Sequence, residues 1–132
     1  MQPKHLNQII KTLSELDIIN LKNLNLSYNS LIQPPQDEKI TFNSQNVDFV
    51  ASCEFVENVC EFIKKNNLLN HIDLSGMNFN NEQIMAVADA ALTQSENLLA
   101  IHLSDNGIGF NLELRDEILD MMGQTNKIFQ IL

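Results

Sequence analysis

Tryptophan is absent from this sequence and tyrosine occurs once, so Tyr28 is the single large amphipathic side chain available as a recognition anchor. No apolar run approaches the roughly 18 residues that a membrane-spanning helix requires, and the N-terminal residues lack the uninterrupted apolar stretch of a secretory signal. The expectation is a soluble intracellular chain, with no membrane partner. Basic residues are also scarce, with 8 Lys and Arg against 17 Asp and Glu and a formal charge of −9. An acidic surface cannot release counterions by neutralising phosphates, which argues against nucleic acid and anionic lipid. The imbalance is concentrated in residues 66–126, where Asp73, Glu82, Asp89, Glu96, Asp105, Glu113, Asp116, Glu117 and Asp120 face only Arg115. A partner for this half is expected to carry a basic patch; a solvated acidic face that keeps the chain soluble is the plainer reading. Cysteine is limited to Cys53 and Cys60, seven apart on an expected helix and so about 10 Å apart along its axis. That exceeds disulfide reach and predicts buried free thiols in a reducing compartment. Asn25-Leu26-Ser27 is a formal glycosylation sequon, read here as coincidence.

What the chain does have is a repeated stretch. Residues 98–108 read Leu-Leu-Ala-Ile-His-Leu-Ser-Asp-Asn-Gly-Ile, with apolar residues at positions one, four, six and eleven and Asn106 at position nine. Residues 21–31 repeat this without a mismatch. Residues 69–79 repeat it with one, Met77 standing where the asparagine belongs. The pattern L-x-x-L-x-L-x-x-N-x-L resembles the leucine-rich repeat signature. A period of 29 residues between the second and third copies, with room for a full helix in each, resembles the ribonuclease-inhibitor-like subclass. The resemblance implies an α/β solenoid with short parallel strands on a concave face and helices on the convex face, about three repeats plus an N-terminal capping helix.

The expected organisation is a capping segment over residues 1–20, then repeats over residues 21–132. Leu6, Ile9, Ile10, Leu13 and Leu16 have helical spacing, predicting a helix over about residues 5–17 laid over the first strand. Repeat one spans 21–68, about 19 residues longer than its neighbour, and carries an insertion at 32–46 with Pro34-Pro35 near its start. Such an insertion is a candidate recognition loop or a neutral surface loop. The helix that follows, over about residues 46–67, has Val50, Cys53, Val56, Cys60 and Ile63 as its buried stripe, widened by Phe49 and Phe55. Repeat two spans 69–97, with Asn81 as helix cap and Ile84, Val87, Ala88, Ala91 and Leu92 inward. Repeat three spans 98–126, its helix at about 112–122 with Ile118, Leu119 and Met122 inward and Gly123 as a left-handed stop. Residues 127–132 read as a truncated fourth strand with Ile128 and Ile131 at positions one and four. Either further repeats or a second chain is expected to cover that edge.

In this signature Leu21, Leu24, Leu26 and Leu31 turn inward, while intervening residues alternate outward. Parallel stacking aligns equivalent positions, so the outward columns can be written in advance: Lys22, Asn70 and Leu99; Asn23, His71 and Ala100; Asn25, Asp73 and His102; Ser27, Ser75 and Ser104; Tyr28, Gly76 and Asp105. The candidate partner-binding face comprises Lys22, Asn23, Asn25, Tyr28, His71, Asp73, His102 and Asp105. His71, Asp73 and His102 could in principle ligate zinc or serve hydrolysis. No oxyanion element accompanies them, and a hydrogen bond from His102 to Asp73 is the plainer expectation. No catalytic residue, metal ligand or cofactor is assigned. Gly107-x-Gly109 lacks the third glycine of a nucleotide loop and reads as a turn.

The expected function is a non-catalytic protein-protein interaction scaffold. Roles implied by the family range from cytoskeletal and ciliary assembly to GTPase regulation and ubiquitin-ligase adaptors. Asparagine- and isoleucine-rich usage of the kind AT-rich coding gives favours a subunit of a large cytoskeletal or ciliary assembly among them. The alternatives are a bacterial effector of the same repeat class acting in a host cytosol, and a metal-dependent or hydrolytic enzyme. His102→Ala would abolish activity under the enzyme reading and change only affinity under the scaffold reading.

Overall fold

In the computed structural model the strands are short, parallel and laid down in chain order. The structure describes residues 2–16, 21–32, 47–66, 68–95, 97–108, 111–125 and 128–130. Its elements are α1 (Pro3–Glu15), β1 (Asn23–Asn25), α2 (Val47–Lys65), β2 (His71–Asp73), α3 (Asn81–Asp89), a π-helical turn (Ala90–Gln94), β3 (Ala100–His102), α4 (Leu112–Gly123) and β4 (Ile128–Gln130). The result is a mixed α/β fold with one open parallel sheet in the order β1-β2-β3-β4. Among the described residues no helix is long and apolar enough to cross a membrane. Nearly all of the expected insertion lies outside the described residues, as do Asn46, Asn67, Lys127 and Ile131.

Helix α1 begins two residues before the sequence expectation, because Pro3 at its first turn is pre-set for helical φ and lacks only an N–H that would be unpaired there anyway. Leu6 and Ile10 are fully buried, while Leu16 falls outside the helix and is exposed. The helix packs along α2 rather than over β1. Its docking is keyed by a buried polar side chain: Asn7 donates from Nδ2 to Glu54 Oε2 at 3.1 Å and accepts at Oδ1 from the Asn58 amide. An unpaired amide at that depth would cost about 1–3 kcal/mol, so the bonds fix the pairing of the two helices.

Helix α2 is flanked by α1 on one side and by α3 and the π-helical turn on the other. Its buried surface is therefore rotated from the expected stripe. Ser52, Phe55, Val56, Val59, Cys60, Phe62 and Ile63 are buried, Cys53 is half-buried, and Val50 is 54% exposed. Lys64 and Lys65 in the last turn each approach Glu61 at 3.4 Å, and they also complement the negative end of the helix dipole.

Helix α3 is capped by Asn80, one residue earlier than expected. Asn80 Oδ1 accepts from the Gln83 backbone N–H at 2.8 Å, and Gln83 Oε1 accepts from the Asn80 N–H at 2.9 Å, a reciprocal capping box. Ile84, Val87, Ala88, Ala91 and Leu92 are buried as expected. Helix α4 is capped by Asn111 and buries Leu114 and Ile118. Leu119, expected inward, is 47% exposed. Nor does Gly123 act as a left-handed stop; it is the last residue of the helix, and the C-cap residue Gln124 has φ −96°.

The sheet aligns the three copies of the repeated stretch position by position. Asn23, His71 and Ala100 are register partners, as are Leu24, Ile72 and Ile101, and Asn25, Asp73 and His102. The apolar positions sit at or near the bottom of the core: Leu69, Ile72, Leu74, Leu98, Ile101 and Leu103 are essentially inaccessible, while Leu21 and Leu24 on the edge strand are half-buried. Beta-4 joins β3 with Ile128 opposite Ala100 and Phe129 opposite Ile101. Ile128 therefore occupies position three and Phe129 position four, two residues out of step with the register expected from the apolar pattern.

Candidate functional site: the outward face of the sheet

Pleating sends alternate residues of a strand to opposite faces, so with Leu24, Ile72 and Ile101 turned to the core their neighbours face away from it. Asn23, Asn25, Lys22, Tyr28 and Asp105 are exposed, and His71, Asp73 and His102 are half-buried. All eight candidate residues are therefore accessible: five lie on three adjacent strands, Lys22 directly precedes β1, and Tyr28 and Asp105 lie in the turns after β1 and β3. Ser75 departs from the expected outward column and is buried.

Each strand leaves the sheet through the same turn, and the turn dictates which side chains it tolerates. Position eight of every copy has positive φ: Tyr28 at 59°, Gly76 at 63° and Asp105 at 59°. Position ten repeats this at Asn78 and Gly107. Short polar side chains hold the turn: Asn25 Oδ1 accepts from the Ser27 N–H at 2.9 Å, and Asp73 Oδ1 accepts from the Ser75 N–H at 2.9 Å. The backbone then bonds copy to copy, Tyr28 N–H to Ser75 oxygen at 2.7 Å and Gly76 N–H to Ser104 oxygen at 2.9 Å.

Beneath the turn, Asn29 and Asn106 turn their amides to backbone groups. Asn106 Nδ2 donates to the Leu74 and Leu103 carbonyls at 3.0 Å, and its Oδ1 accepts from the Met77 and Phe79 N–H groups at 3.0 and 3.2 Å. Asn29 Nδ2 donates to the Leu26 carbonyl at 2.9 Å. Met77 is fully buried in the slot between them. The strand-end carbonyls of the first two copies, Leu26 and Leu74, thus both receive an amide although the middle copy supplies none. Asn78 instead donates to the Leu31 carbonyl at 3.0 Å, a different group from the one its neighbour position would reach.

On the face itself Tyr28 is 67% exposed, and its phenol donates to Asp105 Oδ2 at 2.5 Å. The ring lies over Gly76: a Cβ there would stand 2.3 Å from Tyr28 Cδ1. The bond to Asp105, its charge and, more weakly, the charge of Asp73 hold the phenol above its ordinary pKa. His71 and His102 meet with ring centroids 4.6 Å apart and planes tilted by 57°. Among the described residues no three His, Cys, Asp or Glu side chains are grouped so as to hold a metal ion. Sequence reasoning placed Gly76 in the right column but missed why it must be glycine; the signal was the pairing of the chain's single tyrosine with a glycine at the same repeat position. No protein-family model matches the chain, and no curated protein matches it.

Proposed function

We propose that this chain is a short leucine-rich repeat solenoid of the ribonuclease-inhibitor-like class, working as a non-catalytic cytoplasmic scaffold whose sheet face binds a protein partner within a larger assembly. Three features support the solenoid: strands in chain order, the same left-handed position in each turn, and the same copy-to-copy backbone bonds. One observation carries the binding role. Tyr28, two-thirds exposed, is held in place by Asp105 over Gly76, at the end of a sheet face whose outward residues are mostly polar. An amphipathic ring ordered before binding loses little rotamer entropy on contact, which suits it as an interface anchor. The formal charge of −9 favours a partner with a basic patch.

The test is a quantitative capture from the source cell with three baits: wild type, the sheet-face double variant Tyr28→Ala, Asn25→Glu, and the helix-face double variant Glu113→Ala, Glu117→Ala. The expected outcome is a partner recovered chemically unchanged at fixed stoichiometry by wild type and by the helix-face variant. The sheet-face variant should lose it by about 30-fold or more, the effect of removing an anchor worth about 2 kcal/mol. Loss by the helix-face variant alone, or equal recovery by all three baits, rejects the sheet face as the binding surface.

A further inference from the structure

Asn106 is the only asparagine in the chain that is followed by glycine. That dipeptide carries a chemistry of its own, because glycine places no side chain beside its backbone nitrogen and leaves the main chain free to turn. Once deprotonated, the Gly107 nitrogen attacks Asn106 Cγ. The new N–Cγ bond closes a five-membered imide, the Cγ–Nδ2 bond breaks, and ammonia leaves with the proton that the Gly107 nitrogen gave up. Water then opens the ring at either carbonyl, giving aspartate or the isomer in which the main chain runs through the side chain. The sum is one water taken up and one ammonia released, with no oxidant or reductant.

The folded chain holds the atoms that this reaction must move. Asn106 is 8% exposed. Its Nδ2, the leaving nitrogen, donates to the Leu74 and Leu103 carbonyls at 3.0 Å, and its Oδ1 accepts from the Met77 and Phe79 N–H groups. An imide has no N–H to give those carbonyls, and closing it draws Cγ and its oxygen onto the main chain of the next residue. The reaction therefore waits for the turn to open. The turn does not itself demand glycine: Asn78 fills the same position of the middle copy with φ 60°, and a Cβ on Gly107 would meet nothing within 4 Å.

Neither product fits the slot that Asn106 leaves. A carboxylate would set negative charge against the Leu74 and Leu103 carbonyls and leave both without a donor. The isomer lengthens the main chain by a methylene directly before Gly107, which holds positive φ at 77°.

We propose that Asn106-Gly107 is a latched self-modification site: the four bonds keep it inert in the folded chain, and opening of the turn releases an irreversible deamidation that stops the seam between the second and third copies from closing again. Conversion in the folded state then runs at the rate of the free dipeptide multiplied by the fraction of chains whose turn is open. Chains that dwell in the open state are retired chemically, so the working life of the fold is a rate rather than an equilibrium.

The purified full chain, held at mildly alkaline pH in buffer and in guanidinium chloride, tests the latch, with peptide mapping following each asparagine. In denaturant position 106 should convert before any other asparagine, to both products. In buffer it should convert more slowly by about 100-fold or more, and denaturant below the unfolding midpoint should raise the rate in step with the open fraction. Gly107→Asn copies the middle repeat and should lose most of the conversion in denaturant. After return to buffer, refolding of wild type should fall in step with conversion at 106, while Gly107→Asn held for the same time should refold as freshly denatured chain does. If Gly107→Asn fails to fold, the wild-type rates in buffer and denaturant and the refolding of separated deamidated chain decide the matter alone. The proposal is overturned by equal rates in buffer and denaturant, by earlier conversion of another asparagine, or by deamidated chain that refolds with wild-type stability.

Discussion

The Tyr28 phenol donates to Asp105 across 2.5 Å while its ring crosses the face of Gly76, so the first and third copies of the repeated stretch are joined over the second. All three residues hold position eight and all three have positive φ. The turn thus makes two separate demands at residue 76: a left-handed backbone, and no side chain under the ring.

Those demands can be separated by mutation. Gly107 also has positive φ, at 77°, but a Cβ there would meet nothing within 4 Å. Gly107→Ala should cost only the backbone penalty, about 1–2 kcal/mol. Gly76→Ala adds a clash and should cost more, with loss of the bond to Asp105 as the ring swings away. In a Tyr28→Ala background the Gly76→Ala cost should fall to the Gly107→Ala level, read from urea unfolding midpoints. Equal costs for Gly76→Ala in both backgrounds would mean that the ring exerts no steric demand there.

With one tyrosine and no tryptophan, the phenol can be titrated by its ultraviolet absorbance without interference. Its hydrogen bond to Asp105 and that residue's charge favour the protonated form, so the midpoint should lie above the ordinary value of 10. Asp105→Asn removes the charge and should return the midpoint close to 10. Because the folded value is raised, the interaction contributes stability below the unfolded pKa and loses it as pH rises through the folded one. A wild-type midpoint equal to that of Asp105→Asn would dissolve the contact in solution.

The strands, the core positions and, apart from Ser75, the outward columns were legible because the eleven-residue apolar signature fixes both face and register. Leu69, Ile72 and Leu74 had only one way to point inward, and their burial follows. Helix faces were less legible, since apolar spacing does not say how many neighbours a helix has. Val50 and Leu119 are exposed, while Ser52 is buried and receives the Ile32 N–H at 3.2 Å. Beta-4 was misregistered because six residues contain two overlapping apolar spacings, and only pairing to β3 chooses between them. The meeting of His71 with His102 was legible as a column neighbourhood, but the ring separation was not.

Asn106 should be among the most costly positions to change. Its side chain serves the Leu74 and Leu103 carbonyls and the Met77 and Phe79 N–H groups, and it is buried. Asn106→Ala strands four backbone groups at a cost of about 1–3 kcal/mol for each that water cannot reach. A loss of about 3 kcal/mol or more in chemical unfolding is expected. Asn78→Ala, which removes the bond to the Leu31 carbonyl from an exposed residue and leaves alanine at positive φ, should lose less, about 1–2 kcal/mol. Similar losses for the two would mean that water replaces the Asn106 amide.

Burial pushes the Cys60 thiol up to about 11 from its ordinary 9, the nearby Lys64 only partly opposing it. Cys53 is raised as well, by burial first and then by Glu57 and Glu82, but it is half-buried and closer to solvent. A thiol reagent at neutral pH should therefore label Cys53 slowly and Cys60 only through unfolding, which peptide mapping resolves. The shift also sets a pH dependence. Between the two pKa values the unfolded chain has lost the Cys60 proton while the folded chain retains it, so the stabilising contribution is whole below pH 9 and is lost as pH rises through about 11. Wild type should lose more stability than Cys60→Ala between about pH 8 and about pH 10, because alanine has no proton to release. Parallel pH profiles for the two chains would mean that the thiol ionises as readily folded as unfolded, and that Cys60 is not sealed from water.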